Sequence, residues 1–264
     1  MQLLNRLMMG HLLFTWPAKP SMHYDDKYFS SHTYKDVSFA KYSQYWWSNR
    51  FYAILARRYG RGGGRLLEIG SGLGHLVGQL EETFDTVAVD VNHWALAQSR
   101  LVATESRLQV ASAEELPFSA GVFEVVIIKH VVEHLPHPEK AIAELGRVIA
   151  PDGALILATP NLDSLLKPLK GERWIGYQDP THISLKAPTE WLTLIKAAGF
   201  EIKRVFADGF WDVPYLPILP NKLQKLGFGS LGGFQAIIGL PFLPMRWGES
   251  IMVVARKIPS DTHR

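Results

Sequence analysis

Seven short apolar runs along the chain have the length and composition of buried β-strands. They are RLLEI, TVAVD, RLQV, FEVVIIK, ALILATP, FEIKRVFA and SIMVVARK, which begin at residues 65, 86, 107, 123, 154, 200 and 250. The run FEVVIIK is apolar at almost every position, which is typical of a strand covered on both faces. The pattern therefore predicts a central sheet with two buried faces.

Between these runs, apolar residues recur at intervals of three and four, which predicts amphipathic helices. The predicted helices cover residues 45–54, 74–82, 94–102, 138–149 and 189–198. Pro138 suits the first turn of its helix, and Gly199 suits the end of the last one. The tripeptide at 151–153, PDG, predicts a turn before the fifth strand.

The alternation of strands and helices predicts a parallel sheet with helices on both faces. Right-handed crossovers then place the loops that follow the strands along one edge, where ligands bind. We therefore assign the chain to the α/β class. The ligand-binding domain is predicted at residues 61–208 and 249–258, after an aromatic and helical N-terminal cap at residues 1–60.

Two apolar segments lie outside this alternation. Residues 209–248 are rich in Pro and Gly, and so long a connection usually has a function of its own. We interpret this insert as a lid over an acceptor site or as an interface. The first sixteen residues, MQLLNRLMMGHLLFTW, are open to three interpretations: a signal peptide, an interfacial helix, or a helix packed on its own domain.

Composition narrows the classes of partner and chemistry. The 264 residues carry a formal net charge of +3, and Lys and Arg form no long block, so no nucleic-acid partner is expected. The chain has no Cys, which excludes a disulfide framework, a thiolate metal site and a cysteine nucleophile. No apolar run reaches the length of a membrane-spanning helix.

A glycine-rich loop follows the first predicted strand in the sequence LLEIGSGLGHL. Gly70, Gly72 and Gly74 let the backbone turn sharply and approach a ligand closely. A dinucleotide fingerprint would place its third glycine at position 75, which is His75. Asp90 ends the second strand about 20 residues after the first glycine, where a carboxylate can accept hydrogen bonds from both hydroxyls of a ribose. The loop therefore favours an adenosine-containing ligand other than NAD.

Several motifs in order resemble the class I S-adenosylmethionine-dependent methyltransferases that act on small molecules, of the methyltransferase type 11-like kind. The motifs are LLEIGSGLG, VAVDVN, ASAEELPF, FEVVIIKHVVEHLPHPEKAIAELGRVIAPDGALILATPN and DPTHIS. The resemblance runs from Arg65 to Gly199 and includes the last strand. It implies a Rossmann-like, doubly wound, mostly parallel sheet of seven strands, with S-adenosyl-L-methionine as the cofactor.

The resemblance also implies which residues hold the cofactor. Glu68, Gly70, Ser71, Gly72 and Gly74 would contact its methionine and ribose portions, Asp90 and Val91 its ribose side, Ser112, Ala113 and Glu114 its adenine, and Lys129 and His130 its methionine end. Similar enzymes often carry Asp where this chain has Ser112. Either Ser112 or Glu114 would then bind the adenine amino group.

His182, in YQDPTHIS, is the candidate catalytic base, because a histidine takes up a proton near neutral pH. Tyr177 and Asp179 would orient His182 or the acceptor. The alternative is that His182 only holds its loop by hydrogen bonds. His130, Glu133, His134 and His137 have spacings that a metal site could use. We nevertheless predict no metal, since in most similar small-molecule enzymes the Glu-His pair is structural.

The sequence thus predicts a methyltransferase that modifies a small hydrophobic or lipid-linked acceptor, most readily at oxygen. Two alternatives stay open: an NAD-dependent oxidoreductase, and a non-catalytic membrane-associated module with the same fold. The expected location is cytoplasmic. Peripheral contact with a membrane and a homodimer built on the insert are further expectations.

Overall fold

The computed structural model of the protein describes residues 37–211 and 213–259. The apolar segment at residues 1–16 and its three interpretations lie outside these described residues. Seven strands form one sheet in the order β3-β2-β1-β4-β5-β7-β6. The strands are β1 (Arg65–Ile69), β2 (Asp85–Asp90), β3 (Arg107–Val110), β4 (Phe123–Lys129), β5 (Ile149–Pro160), β6 (Phe200–Ala207) and β7 (Ser250–Lys257).

The predicted mostly parallel sheet is confirmed. β1 pairs in parallel with β2 and β4, β2 with β3, and β4 with β5. β7 lies antiparallel between β5 and β6. The register between β4 and β5 jumps from the pair Phe123–Ile149 to the pair Val125–Ala154, so residues 150–153 bulge out where the sequence predicts a turn.

Seven α-helices lie in the described part of the chain. They are α1 (Gln44–Tyr59), α2 (His93–Ser99), α3 (Pro138–Val148), α4 (Lys167–Lys170), α5 (Ile175–Gln178), α6 (Pro188–Ala197) and α7 (Asn221–Ile238). The Ser43 hydroxyl caps α1 by accepting from the Trp46 amide at 3.1 Å, and Asn92 caps α2 in the same way through Ala95 at 2.9 Å. These caps set the starts of both helices.

The helix predicted at residues 74–82 is wrong. Only a 3₁₀ turn forms there, at Val77–Gln79. Gly74 has the left-handed φ of +77°, which no α-helix contains, and a Cβ at Gly78 would lie 2.9 Å from the Val102 carbonyl oxygen. The glycines that bring this segment close to its neighbours therefore also prevent a regular helix. The helix predicted at 94–102 is the shorter α2.

Side chains of the central strands alternate between two apolar cores. Leu67, Val126 and Leu155 face the core that contains Trp191 of α6, together with residues of α3. Leu66, Val125 and Ile156 face the opposite core, which contains Phe51, Tyr52 and Leu55 of α1. Helices thus cover both faces of the sheet, and its buried strands can lie only in one register.

Two buried glutamines of α7 organise the insert, and one of them, Gln235, also attaches it to the end of β6. The Gln235 amide group donates to the Ala207 carbonyl at 2.8 Å and accepts from the Phe242 and Leu243 amides at 2.8 and 2.9 Å. Gln224 bonds in the same manner to backbone groups of Tyr215, Leu216 and Leu219. Each glutamine therefore satisfies backbone groups that would otherwise be buried without partners.

We expect Gln235→Ala to lower the free energy of unfolding by about 3 kcal/mol, because it leaves several buried backbone groups unpaired. The matched control is Gln109→Ala on the exposed edge strand β3, where the change should stay within about 0.5 kcal/mol. Urea unfolding followed by circular dichroism measures both. Equal effects of the two substitutions would show that Gln235 does not hold the insert in place.

Candidate active site

The carboxyl ends of β1, β2 and β4 meet at one edge of the sheet because these strands are parallel. The predicted cofactor residues lie at or just after the carboxyl ends of β1, β2, β3 and β4. The fold therefore gathers them at the edge that the alternation of elements predicts.

The glycine loop after β1 adopts a conformation that only glycine allows. Gly70, Gly72 and Gly74 have φ values of +71°, +52° and +77°. A Cβ at Gly70 would lie 2.2 Å from the Val131 side chain, and one at Gly74 would lie 2.9 Å from the Ser99 side chain. The loop is thus held tightly between the β4 and β2 connections, and larger residues at these two positions would displace it.

The amide groups of this loop are used inside the protein. The Gly70 and Ser71 amides donate to the Val89 carbonyl at 2.8 and 3.1 Å, and the Gly74 amide donates to the Ser71 carbonyl at 2.9 Å. No α-helix begins at Gly74, so the helix N-terminus that the sequence predicted there is absent. A pyrophosphate needs a row of outward amide groups. The loop geometry is therefore poorly suited to NAD.

Asp90 joins the glycine loop to the start of α2. One carboxylate oxygen accepts from the Gly72 amide at 2.9 Å, and the other accepts from the Asn92 amide at 2.9 Å. Burial raises the pKa of Asp90, while the backbone amides of Asn92, Gly72 and Val91 oppose this shift. Each carboxylate oxygen can accept a second hydrogen bond, so Asp90 suits a ribose with two adjacent hydroxyls.

Glu68 and Ser71 present buried polar atoms to the same region. The Oε2 atom of Glu68 and the Oγ atom of Ser71 are buried and have no hydrogen-bond partner among the described residues. Burial raises the pKa of Glu68 to about 8, although the nearby Lys129 ammonium lowers it. Buried polar atoms normally have partners, and the amino-acid end of S-adenosylmethionine carries groups that would supply them. The residues present therefore fit this cofactor.

Lys129 makes contacts that the sequence did not reveal. Its ammonium group donates to Asn49 Oδ1 at 3.0 Å and to Ser48 Oγ at 3.3 Å, and it lies 4.7 Å from the centre of the Tyr52 ring. Burial lowers its pKa to about 8, while Glu68 and Asp208 oppose the shift. The predicted contact of Lys129 with the cofactor stays a prediction, since the described contacts of its ammonium group are with α1.

Asp208 is a site residue that sequence reasoning missed. It directly follows β6 and is 9% exposed. Burial raises its pKa to about 6, while His130 and Lys129 oppose this shift. The available signal was a carboxylate placed directly after an apolar strand, at the edge where ligands bind.

His130 and the buried Glu133 form a partly buried hydrogen bond beside the end of β4. The His130 Nδ1 and Glu133 Oε1 atoms are 3.0 Å apart, and Thr159 donates to the other Glu133 oxygen at 3.1 Å. Burial raises the pKa of Glu133, but the hydrogen bond and charge of His130 outweigh that effect and hold the pKa below its usual value. His130 has a φ of +52°, which this hydrogen bond helps to maintain.

The hydrogen bonds of His182 define which of its ring nitrogens carries the proton. His182 Nδ1 lies 2.8 Å from the Gly176 carbonyl oxygen. A carbonyl oxygen only accepts, so Nδ1 is the donor, and in neutral His182 the lone pair is on Nε2. Tyr177 is 53% exposed, and its ring packs against the ring of Trp174. Its predicted role in orienting His182 or the acceptor stays a prediction.

The neighbouring His134 is oriented by a short chain of hydrogen bonds. Thr181 Oγ1 donates to Asp179 at 2.5 Å, so it accepts from His134 Nδ1 at 2.8 Å. The centres of the His134 and His182 rings are 4.7 Å apart. Asp179 therefore orients His134 through Thr181. Its predicted role in orienting His182 or the acceptor stays a prediction.

Glu133, His134 and His182 each offer a ligand atom, and these atoms lie within 4.8 Å of one another. The metal candidates from the sequence were His130, Glu133, His134 and His137, so this trio differs from them by including His182. His137 lies apart from the trio, with its Nδ1 atom 3.6 Å from Oε1 of the exposed Glu139. The trio has the ligand types of a divalent transition-metal site. The sequence-based expectation that the protein binds no metal stays a prediction.

The predicted adenine residues lie in the loop after β3. The Ser112 hydroxyl accepts from the Glu114 amide at 3.1 Å, and the Glu114 carboxylate accepts from the His137 amide at 2.7 Å. Ala113 is buried, whereas Val91 is 53% exposed. Glu114 thus holds the loop against the start of α3. The roles of Ser112, Ala113 and Glu114 toward adenine stay predictions, as does the contact of Val91 with the cofactor.

Aromatic residues on the N-terminal side cover the glycine loop. The Phe39 ring stacks on the His75 ring with centres 4.5 Å apart, and Tyr45 meets His75 edge-on at 5.7 Å. Burial lowers the pKa of His75. His75, which stands where a dinucleotide fingerprint would have its third glycine, thus packs against Phe39 in the segment before α1.

Comparisons with known proteins agree with this geometry. A family model described as "Methyltransferase domain" matches residues 39–205. The malonyl-[acyl-carrier protein] O-methyltransferase of Geobacter sulfurreducens is 30% identical over 201 residues, which cover 71% of this chain and 74% of that protein. The ubiquinone biosynthesis O-methyltransferase of Aromatoleum aromaticum is 31% identical over 159 residues, covering 56% and 68%.

Solved structures show the same fold. The YcgJ protein of Bacillus subtilis has a TM-score of 0.56 at 20% identity, covering 81% of this chain and 99% of that one. The Haloferax volcanii putative methyltransferase in complex with the Trm112 activator has a TM-score of 0.60 at 15% identity, covering 81% and 90%. The chain therefore belongs to the class I S-adenosylmethionine-dependent methyltransferases. Its cofactor is S-adenosylmethionine, and the oxidoreductase alternative has no support among these matches.

We expect Asp90→Ala to weaken S-adenosylmethionine binding by about ten- to a hundredfold, because it removes charged acceptors from the ribose and frees the glycine loop. Asp85→Ala is the matched control at the opposite end of β2, where the carboxylate pairs with the exposed side chains of Arg65 and Arg107. Isothermal calorimetry measures both dissociation constants. Unchanged affinity in Asp90→Ala would contradict the ribose assignment.

Proposed function

We propose that the protein transfers the methyl group of S-adenosylmethionine to a hydroxyl oxygen of a small hydrophobic or lipid-linked acceptor, with His182 as the base. The observation that carries this proposal is the 2.8 Å hydrogen bond between His182 Nδ1 and the Gly176 carbonyl. It fixes the ring and leaves the Nε2 lone pair as the site of proton uptake.

S-adenosylmethionine, when bound, supplies a methyl group on a positively charged sulfur, which is already a strong electrophile. The protein has to hold the acceptor oxygen in line with that methyl group and to remove one proton. His182 Nε2 would accept the hydroxyl proton as the oxygen–methyl bond forms and the sulfur–methyl bond breaks, and S-adenosylhomocysteine would be the leaving group. The nearby Asp179 carboxylate stabilises the charge that His182 gains, since each lowers the free energy of the other's charged form.

The names of the relatives support an acceptor of this class. The Geobacter sulfurreducens relative is an O-methyltransferase for malonyl-[acyl-carrier protein], and the Aromatoleum aromaticum relative is an O-methyltransferase of ubiquinone biosynthesis. A phosphatidylethanolamine N-methyltransferase of Cereibacter sphaeroides is 29% identical over 101 residues. These proteins act on oxygen or on lipid-like molecules, and the apolar insert of this chain suits the same kind of acceptor.

The location and assembly of the protein follow from the acceptor in this proposal. We place the activity in the cytoplasm, at the surface of a membrane that holds the lipid-linked acceptor. Among the described residues, no helix is both long enough and apolar enough to span a bilayer. A homodimer is the alternative use of the insert.

The direct test is release of S-adenosylhomocysteine across a panel of phenols, quinone precursors and lipid-linked sugars. With the preferred acceptor, we expect His182→Gln to reduce kcat by about 10²–10⁴-fold and to leave S-adenosylmethionine affinity unchanged. Gln keeps a donor for the Gly176 carbonyl but cannot take up the proton. His137→Gln, which alters an exposed histidine, is the matched control and should retain full turnover.

Treatment with EDTA provides a second test, because Glu133, His134 and His182 offer the ligand atoms of a metal site. Turnover that survives extensive treatment with EDTA supports His182 as a metal-free base. Loss of turnover with EDTA, restored by Zn²⁺ or Mn²⁺ and abolished in both His134→Gln and His182→Gln, would contradict the base assignment. In that case Glu133, His134 and His182 would hold an ion that activates the acceptor hydroxyl.

A further inference from the structure

The long helix α7 buries polar side chains and exposes apolar ones, which is the reverse of an ordinary surface helix. Gln224 and Gln235 are 1% and 0% exposed, whereas Leu226, Phe234 and Ile237 are 71%, 56% and 57% exposed. So large an inversion is unusual in a helix that faces only water.

Four of the six large apolar residues that α7 exposes share one face. Leu223, Leu226, Phe234 and Ile237 recur at intervals of three, eight and three, which a helix of 3.6 residues per turn places along a single stripe. We call these four residues, together with Ile218, the outer face of the insert. Ile218 precedes the helix and is 95% exposed.

The protein's own core cannot bury this face. Gln224 and Gln235 bond to backbone groups on the inner side of α7, so rotating the helix would orphan those groups. Gly232 also fixes the orientation, because a Cβ there would lie 3.0 Å from the Cα atom of Gly209. The hydrogen bonds of the two glutamines and the close packing at Gly232 therefore keep the outer face pointing away from the domain.

The charges of the insert are mostly positive. Residues 209–248 contain Lys222, Lys225 and Arg246 and one acidic residue, Asp212. Both lysines are exposed near the start of α7, and Trp247, at the end of the insert, is 49% exposed. Exposed apolar residues flanked by cations and a tryptophan match the chemistry of a bilayer interface with anionic headgroups.

We propose that the outer face of the insert docks in the interfacial layer of an anionic phospholipid bilayer, with Lys222 and Lys225 against lipid phosphates. The helix then lies in the plane of the membrane. The purpose of this contact rests on the proposed function, since the insert begins directly after Asp208 at the catalytic edge. A docked insert would bring that edge to a lipid-linked acceptor without extracting it from the membrane.

The test is co-sedimentation of the full chain with vesicles of phosphatidylcholine alone and of phosphatidylcholine mixed with phosphatidylglycerol. We expect binding to the anionic vesicles, reduced at least tenfold in the double variant Leu226→Asp, Ile237→Asp. Lys222→Glu and Lys225→Glu should each weaken it by about fivefold. Leu101→Asp is the matched control, because Leu101 is 76% exposed but lies outside the insert.

Several results would overturn the inference: no binding by the full chain, equal binding by the double variant, or a loss in Leu101→Asp as large as in the double variant. Light scattering adds one more. A wild-type dimer that becomes a monomer in the double variant, without vesicle binding by either, would make the face a contact between copies of the chain. Turnover of a water-soluble acceptor without vesicles is measured in parallel, so failure of docking is distinguishable from failure of catalysis. Circular dichroism confirms that each variant folds.

Discussion

The carboxylate of Asp90 holds together the three elements on which the cofactor site depends. Its two oxygens bond the Gly72 amide and the Asn92 amide at 2.9 Å each, and Ser99 of α2 donates back to the Gly72 carbonyl at 2.6 Å. The loop after β1, the end of β2 and the first turn of α2 are thus tied at one point. Because the loop amides are used in this arrangement, the loop is poorly suited to bind a pyrophosphate.

A second layer of buried polar contacts fixes what lies around the cofactor edge. Lys129 bonds to Asn49 and so connects the end of β4 to α1, while Gln235 connects the end of β6 to α7. Removing either partner of such a contact leaves a buried polar group unsatisfied, which costs more than the contact itself provides. The aromatic segment and the insert are therefore held beside the site in defined orientations.

The apolar runs were sufficient to predict all seven strands. The pattern was clearest for the central strands, because strands buried on both faces have a composition that few other segments share, whereas the edge strands β3 and β6 are partly exposed. The prediction of a helix at 74–82 was wrong because the spacing of apolar residues carries no information on how closely Gly74 and Gly78 pack against neighbouring segments. The order of the motifs pointed to the cofactor. Which ring nitrogen of neutral His182 carries the hydrogen is set by the Gly176 carbonyl, which only the folded loop provides. Periodicity also assigns an apolar stripe to the core, so it could not predict that α7 points its stripe outward.

In the proposed function, the ribose site at Asp90 and the base at His182 serve one reaction centre. A crystal structure with S-adenosylhomocysteine would test this arrangement. We expect the ribose hydroxyls to bond to the Asp90 carboxylate, and the sulfur to face His182 Nε2 across a gap that admits one acceptor oxygen. A ribose bound away from Asp90, or side chains that separate the sulfur from His182, would contradict it.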